Sequence, residues 1–257
     1  MPAGEYVLDK HQYFNSAILI PVYNHEEAIA ITLEKVLVYG VPVLLVDDGS
    51  DEACQQALEK LRIQYAIVDL LRLEKNGGKG AAVKQGFRHL LAGGYSHALQ
   101  IDADGQHNIA DLPSFFELSQ QAPASIICGY PIYDESVPKL RYYSRYLTHI
   151  WVWINTLSFE IKDSMCGFRM YPLQQIVTLL NQEYCGDRMD FDSEIMVRWL
   201  WRDGKIKGIA TKVSYPIDGV SHFNAFHDNV LISWMHTRLF FGMLRRSPIL
   251  LWRKFNG

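Results

Sequence analysis

Ala98-Leu-Gln-Ile-Asp102-Ala-Asp104-Gly-Gln106 begins as a short apolar run and ends on two carboxylates spaced two residues apart. The apolar part reads as a strand buried on both faces, and the acidic part as the turn at its carboxyl end. Paired carboxylates in that position suit a hard divalent cation, Mg2+ or Mn2+, and leave coordination sites open for phosphate oxygens. Asp102 and Asp104 are therefore candidate metal ligands, with Gln106 adding a neutral oxygen.

Upstream the same grammar repeats. Ala17-Ile-Leu-Ile-Pro-Val-Tyr23 reads as a buried strand ending at Asn24, and a helix is expected over Glu26 to Val38, with Ile29, Leu33, Val36 and Leu37 on one face. Val43-Leu-Leu-Val46 is a second strand, stopped by Asp47-Asp-Gly-Ser50. Ser50 or Asp51 can cap a helix through Leu61. A weaker strand over Tyr65 to Leu71 leads into Asn76-Gly-Gly-Lys-Gly80, then a helix with Val83, Phe87, Leu90 and Leu91 on one face. Downstream come a helix over Leu112 to Gln120 and a fifth strand at Ser125-Ile-Ile-Cys128.

Strands alternating with helices predict an α/β fold with a mostly parallel sheet covered on both faces. Ligands bind such sheets beyond the carboxyl ends of the strands. The polar clusters at 21–26, 47–51, 76–80 and 102–106 all fall there. Pro21-Val-Tyr23-Asn24 offers an aromatic ring and an amide for a base, and Asp48 offers acceptors for a nucleobase or ribose. Gly78 lets backbone approach a ligand closely, and Lys79 supplies a fixed cation. The G-x-x-x-x-G-K-[ST] loop of nucleotide triphosphatases is absent.

The second half is less regular. A long helix is expected over Lys139 to Phe159, short strands at Gly167 to Tyr171 and Ile206 to Tyr215, and a helix over Asp192 to Trp201. A last helix over 223–246 is expected to break at Pro248. It mixes Trp234, Phe240 and Phe241 with Arg238, Arg245 and Arg246, a combination suited to a membrane interface. Two parts follow: a catalytic domain over 1–222 and an amphipathic, membrane-interfacial extension over 223–257.

A net charge of −3 excludes a general pull toward nucleic acid. The four cysteines form no C-x-x-C pair, which argues against a zinc site or a disulfide framework. Met1 to Phe14 has no apolar core of an export signal, and no window is apolar enough to span a bilayer. A cytoplasmic protein, peripheral on the cytosolic face of a membrane, is expected.

In this order the four clusters resemble glycosyltransferase family 2, and within it the dolichyl-phosphate mannosyltransferase-like branch with its GT-A fold. Pro21, Tyr23, Asn24 and Ile29 fit its P-x-Y-N-E-x-x-x-I pattern; Asp47, Asp48, Gly49 and Ser50 fit D-D-G-S-x-D. Asn76, Gly78, Lys79 and Gly80 fit N-x-G-K-G, and Asp102 through His107 fit D-A-D-x-Q-H. The resemblance runs over roughly 17–172. It departs at His25, where the family has Glu and Glu26 stands one place later, and at Asp218-Gly-Val-Ser-His222, where His222 replaces a Lys.

The resemblance implies an inverting transfer from a UDP- or GDP-sugar to a polyprenyl phosphate or other lipid-linked acceptor. Pro21, Tyr23, Asn24, Glu26, Asp48, Gly78, Lys79, Asp102, Ala103 and Asp104 would line the donor. Arg141 and Ser144 fit the R-x-x-S step that binds the acceptor phosphate, with Arg145 adjacent, and Asp163 to Arg169 fit D-x-x-x-G-F-R beside the acceptor pocket. Arg141, Ser144, Arg145 and Arg169 are then phosphate ligands, and Asp104 and Asp163 catalytic. For a hydroxyl acceptor Asp163 would be the first candidate base, followed by Asp192 or Glu194. A nucleotidyltransferase and a non-catalytic membrane-docking protein are the alternatives; the first would carry a Gly-rich basic loop after its first strand.

Overall fold

The computed structural model describes residues 15–132, 139–212 and 225–256, and the side chains of all these except 139–144, 225 and 256. The segment 1–14 and Asp218 to His222 lie outside the described residues, and so do the side chains of Arg141 and Ser144.

Seven strands form one sheet: β1 (Ser16–Val22), β2 (Val43–Asp47), β3 (Val68–Arg72), β4 (His97–Gln100), β5 (Ser125–Ile132), β6 (Arg169–Pro172) and β7 (Lys205–Lys212). Their order across the sheet is β3-β2-β1-β4-β6-β5-β7. All pairings are parallel except those of β6, which runs antiparallel to β4 and β5. Period-two alternation decides which side chain meets which layer. On β1, Ile18, Ile20 and Val22 face one core, with Phe115, Phe116 and Phe168, while Ala17 and Leu19 face the other, with Phe87 and Tyr171.

Helices α1 (Glu26–Leu37), α2 (Glu52–Gln64) and α4 (Leu112–Gln121) bury their apolar faces in the first core, and α3 (Lys79–Ala92), α6 (Leu173–Gln182) and α7 (Phe191–Trp201) bury theirs in the second. The expected cap of α2 is present: the Asp51 side chain accepts the Cys54 amide at 3.0 Å. The helix α6 has no counterpart in the expectations above, although Leu173, Ile176, Val177 and Leu180 repeat at helical spacing.

Helix α5 (Lys139–Thr156) and helix α8 (Ala225–Asn256) lie against each other and against α7. Met235, Leu239 and Met243 carry α8 into the second core. The expected break at Pro248 is corrected: α8 continues through it. Pro248 lacks the N–H that would bond the Leu244 carbonyl. The Ser247 hydroxyl donates to that carbonyl instead, at 2.9 Å, so no acceptor is stranded.

Candidate active site

Four loops meet at the carboxyl edge of β1, β2, β3 and β4, and hydrogen bonds lock them to one another. Asn24, in the left-handed region at φ 49°, donates its backbone amide to the Ser50 hydroxyl (3.1 Å) and accepts the Asp51 amide on its side chain (2.9 Å). Asp47 is fully buried and accepts from the Ser50 amide and from Arg72. Asp48 is 2% exposed. Its carboxylate accepts the amides of Gly77 and Gly78, both at 2.8 Å, and the Asn76 side chain at 3.0 Å. Three of its roughly four acceptor positions are thus used within the protein. Burial pushes its carboxyl up, against the pull of those two amides. Asp48, expected to contact a base or ribose, here holds the glycine loop in place.

That loop aims Lys79. Gly78 is at φ +98°, a conformation that only glycine adopts without strain, and it starts α3 one residue later at Lys79. The Lys79 ammonium lies 2.7 Å from Asp102 and 2.8 Å from Asp192. Burial alone would lower its pKa; the two carboxylates outweigh that and hold it well above the ordinary lysine value. Asp102 responds in the opposite sense: burial would raise it, but Lys79 and His107 hold it well below the usual carboxylate range. His107 Nε2 is 3.3 Å from Asp102, and its ring stacks on Phe168 at 5.1 Å.

Asp104 differs from its neighbour. It accepts the Gln106 amide at 3.1 Å and shows no ion pair among the described residues. Burial first, and the charge of Asp102 second, push its carboxyl up. Ala103 anchors the turn through its carbonyl, which accepts the Thr32 hydroxyl at 3.2 Å. Two carboxylates, Asp102 and Asp192, thus flank the Lys79 ammonium, and Asp104 stands two residues beyond Asp102 on the same turn. Among the described residues no three His, Cys, Asp or Glu side chains form a ready-made metal cage. Two carboxylates completed by substrate phosphates are the usual magnesium arrangement, and the donor set fits that pattern.

The segment 163–169 closes the site from the other side. Gly167 lies so close to Asp102 that a β-carbon there would stand 2.6 Å from both carboxylate oxygens and 2.8 Å from Lys79 Nζ. Asp163, expected to be catalytic, is instead an anchor. Both of its oxygens take Arg145 at 2.7 Å, His149 Nε2 lies 3.3 Å away, and the amides of Met165 and Cys166 donate to it at 2.9 and 2.7 Å. Burial would raise its pKa, but His149 and Arg145 hold it well below the carboxylate range, which makes it a poor base.

Arg169 is also corrected. It is fully buried and donates to the Asp192 carbonyl at 2.6 Å and to Tyr171 at 3.3 Å, so it is a framework residue and not a phosphate ligand. Asp192 and Glu194, the reserve bases, are occupied too: Asp192 by Lys79, Glu194 by Arg198 and Arg238. Pro21 and Tyr23 lie at the end of β1, and Glu26 opens α1 beside them. Sequence reasoning did not single out Gly167, His149, or the pairing of Asp192 with Lys79. Only the G-F-R step hinted at the first.

Comparison with known proteins agrees with this architecture. The sequence pattern of Glycosyl transferase family 2 matches residues 17–177. A dolichyl-phosphate beta-glucosyltransferase of Trichomonas vaginalis is 27% identical over 226 residues, which cover 80% of this chain and 67% of that protein. This chain therefore spans about two thirds of that relative's length. Among solved structures, glucosyl-3-phosphoglycerate synthase from Mycobacterium tuberculosis superposes with a TM-score of 0.61 at 15% identity, over 90% of this chain and 79% of that one. A mannosyltransferase of Pyrobaculum calidifontis, solved with GDP-Man and Mn2+, gives 0.57 at 12% identity, over 90% and 64%. At these identities the two structures speak to the fold, which is GT-A. The family pattern spans most of the chain and contains all four loops of the sheet edge, which makes this protein a glycosyltransferase of family 2.

Proposed function

We propose that the chain transfers a sugar from a UDP- or GDP-linked donor to the phosphate of a polyprenyl lipid, by a single displacement that inverts the anomeric carbon. The observation that carries this is the arrangement of Lys79, Asp102 and Asp104 at the junction of four locked loops. Lys79 is placed to offset charge that builds on a departing diphosphate. Asp102, Asp104 and Gln106 are the residues that would hold Mg2+ or Mn2+. When bound, such an ion neutralises the same diphosphate charge. Pro21, Tyr23, Asn24, Glu26 and the glycine loop would line the nucleotide.

The acceptor class follows from where the carboxylates are committed. A hydroxyl acceptor needs a base free to take its proton. Asp163 is held by Arg145 and His149, and Asp192 by Lys79. A phosphate oxygen is already anionic at neutral pH and needs no base. Arginine suits its recognition by planar, bidentate hydrogen bonding. Arg141 and Ser144, within about one turn before Arg145 on α5, are the proposed grip, and Arg145, which pairs through two nitrogens with Asp163, braces that turn.

Membrane attachment is supported by the outer surface of α5 and α8. Leu147 and Trp151 of α5, and Trp234, Phe241 and Trp252 of α8, are exposed, and Arg245 and Lys254 stand exposed among them. Among the described residues no helix is long and apolar enough to cross a bilayer. Contact in the plane of the interface, on the cytosolic leaflet, accounts for such a surface.

The deciding experiment supplies a panel of UDP- and GDP-sugars with manganese or with chelator, and offers polyprenyl phosphate and a hydroxyl-ended glycolipid together. Metal-dependent transfer to the phosphate is expected. Preferred transfer to the hydroxyl would overturn the acceptor assignment, and full activity in chelator the metal assignment.

A further inference from the structure

Helix α8 reaches the donor lysine through one buried carboxylate. Glu194 of α7 is fully buried. One of its oxygens accepts Arg198 at 2.7 Å; the other accepts the Gly186 amide at 2.9 Å and Arg238 of α8 at 3.1 Å. Arg238 also lies over the ring of Tyr184, at 4.7 Å from its centroid. The α8 helix and the loop 183–190 are therefore tied to the same carboxylate.

That loop is the seat of the Lys79 turn. The Asp187 carbonyl accepts the Ala81 amide at 2.9 Å. Lys84 donates to the carbonyls of Cys185 and Gly186 at 2.8 and 3.1 Å and pairs with Asp187 at 2.6 Å. A β-carbon on Gly78 would stand 2.6 Å from the Asp187 carbonyl oxygen, so the turn rests directly on the loop. Glu194 shares α7 with Asp192, which itself bonds Lys79. A continuous path of hydrogen bonds and close contacts thus runs from Arg238 through Glu194, Gly186 and Asp187 to Gly78 and Lys79.

We propose that Arg238 is a positioning residue for the donor site: by holding Glu194 it fixes the 183–190 loop, and through it the height of Lys79 over Asp102. The consequence is regulatory. Whatever seats α8, a lipid surface above all, tightens the turn that carries Lys79, and whatever lifts α8 loosens it. This consequence rests on the donor-site reading above; the positioning itself does not. Other α8 arginines make different contacts: Arg253 donates to the Trp201 carbonyl at 3.0 Å and does not touch Glu194.

The test compares the full-length chain with Arg238→Gln, Arg238→Lys and Arg253→Gln by amide hydrogen exchange over 76–82 and 183–190. In Arg238→Gln both segments should exchange about tenfold faster, as expected for loss of a hydrogen bond to a buried charge. Arg238→Lys should recover part of that protection, and Arg253→Gln should match the parent. Unchanged exchange at 76–82 in Arg238→Gln, or equal acceleration in Arg253→Gln, overturns the proposal whether or not the chain binds nucleotide. UDP and GDP, each with manganese, then serve as probes. Arg238→Gln should bind the preferred diphosphate about tenfold more weakly than the parent, and the same change made in a Lys79→Met background should cost nothing further. Additive losses would mean that Arg238 acts elsewhere. Failure of the parent chain to bind either diphosphate counts against the donor-site reading alone, because the exchange result stands without it.

Discussion

The backbone of Gly167 rests on the carboxylate of Asp102, leaving no room for a methyl group: a β-carbon would stand 2.6 Å from both oxygens. The 163–169 segment and the Asp102–Asp104 turn therefore share one contact. Gly167→Ala must push either Asp102 or the 163–169 segment away. Overpacking of this kind costs about 1–3 kcal/mol, so the variant should fold. Its donor affinity, read by nucleotide titration, should fall by about tenfold, the equivalent of about 1.4 kcal/mol. A variant that melts lower but binds donor normally would show that the contact is only structural.

Lys79 pairs with buried Asp192 and half-buried Asp102, and removing it strands Asp192 and leaves Asp102 with His107 alone. Lys79→Met should destabilise the fold by about 3–5 kcal/mol, the usual effect of breaking a buried ion pair from one side. Adding Asp192→Asn should restore much of the melting temperature without restoring transfer. Calorimetry of the two single variants and the double variant gives the coupling directly. A double variant no more stable than Lys79→Met would show that Asp192 is not paired with the lysine in solution.

Asp104 is predicted to behave differently. Its carboxyl is pushed up by burial and by Asp102, so its ionised form is disfavoured in the folded protein. Asp104→Asn removes that unfavourable charge, so in chelator its melting temperature should equal or exceed the parent's. The stabilisation that manganese and a nucleoside diphosphate give the parent should disappear. A lower melting temperature in chelator would contradict this account.

The α5–α8 contact should be pH-sensitive. His236 of α8 is buried, bonds Asn155 at 3.2 Å and stacks near Trp151 at 6.1 Å. Burial lowers its pKa to about 4, from an unfolded value near 6.5. The neutral form is thus preferred in the fold. Its contribution is intact above about pH 6.5 and declines as pH falls from there toward 4, at up to about 1.4 kcal/mol per unit. Tryptophan fluorescence and thermal melts between pH 7 and 4 should show α8 loosening. His236→Gln should flatten that part of the profile.

Much of the fold was legible locally. Ile18 and Leu19 alternate between two cores because strand side chains alternate, and the first five strands with the first four helices follow from such runs. Asp51 was readable as a cap because capping depends on residues three apart. Antiparallel β6, helix α6 and the passage of α8 through Pro248 were not readable in this way. Each depends on a partner distant in sequence, or, at Pro248, on a hydroxyl choosing one carbonyl.

The candidate site divides along the same line. Asp102, Asp104 and the Asn76–Gly80 loop announce themselves because strand ends and glycine turns place their groups by local geometry alone. What Asp163 and Arg169 do depends on burial and on which charge lies opposite. Arg145 turns Asp163 from a base into an anchor, and α7 encloses Arg169. Sequence by itself determined the sheet, the loops along its edge and the kind of groups they carry. Only the tertiary structure decided which charges are paired and which are left for a ligand, because pairing is set by distances of about 3 Å between residues as far apart in sequence as Lys79 and Asp192.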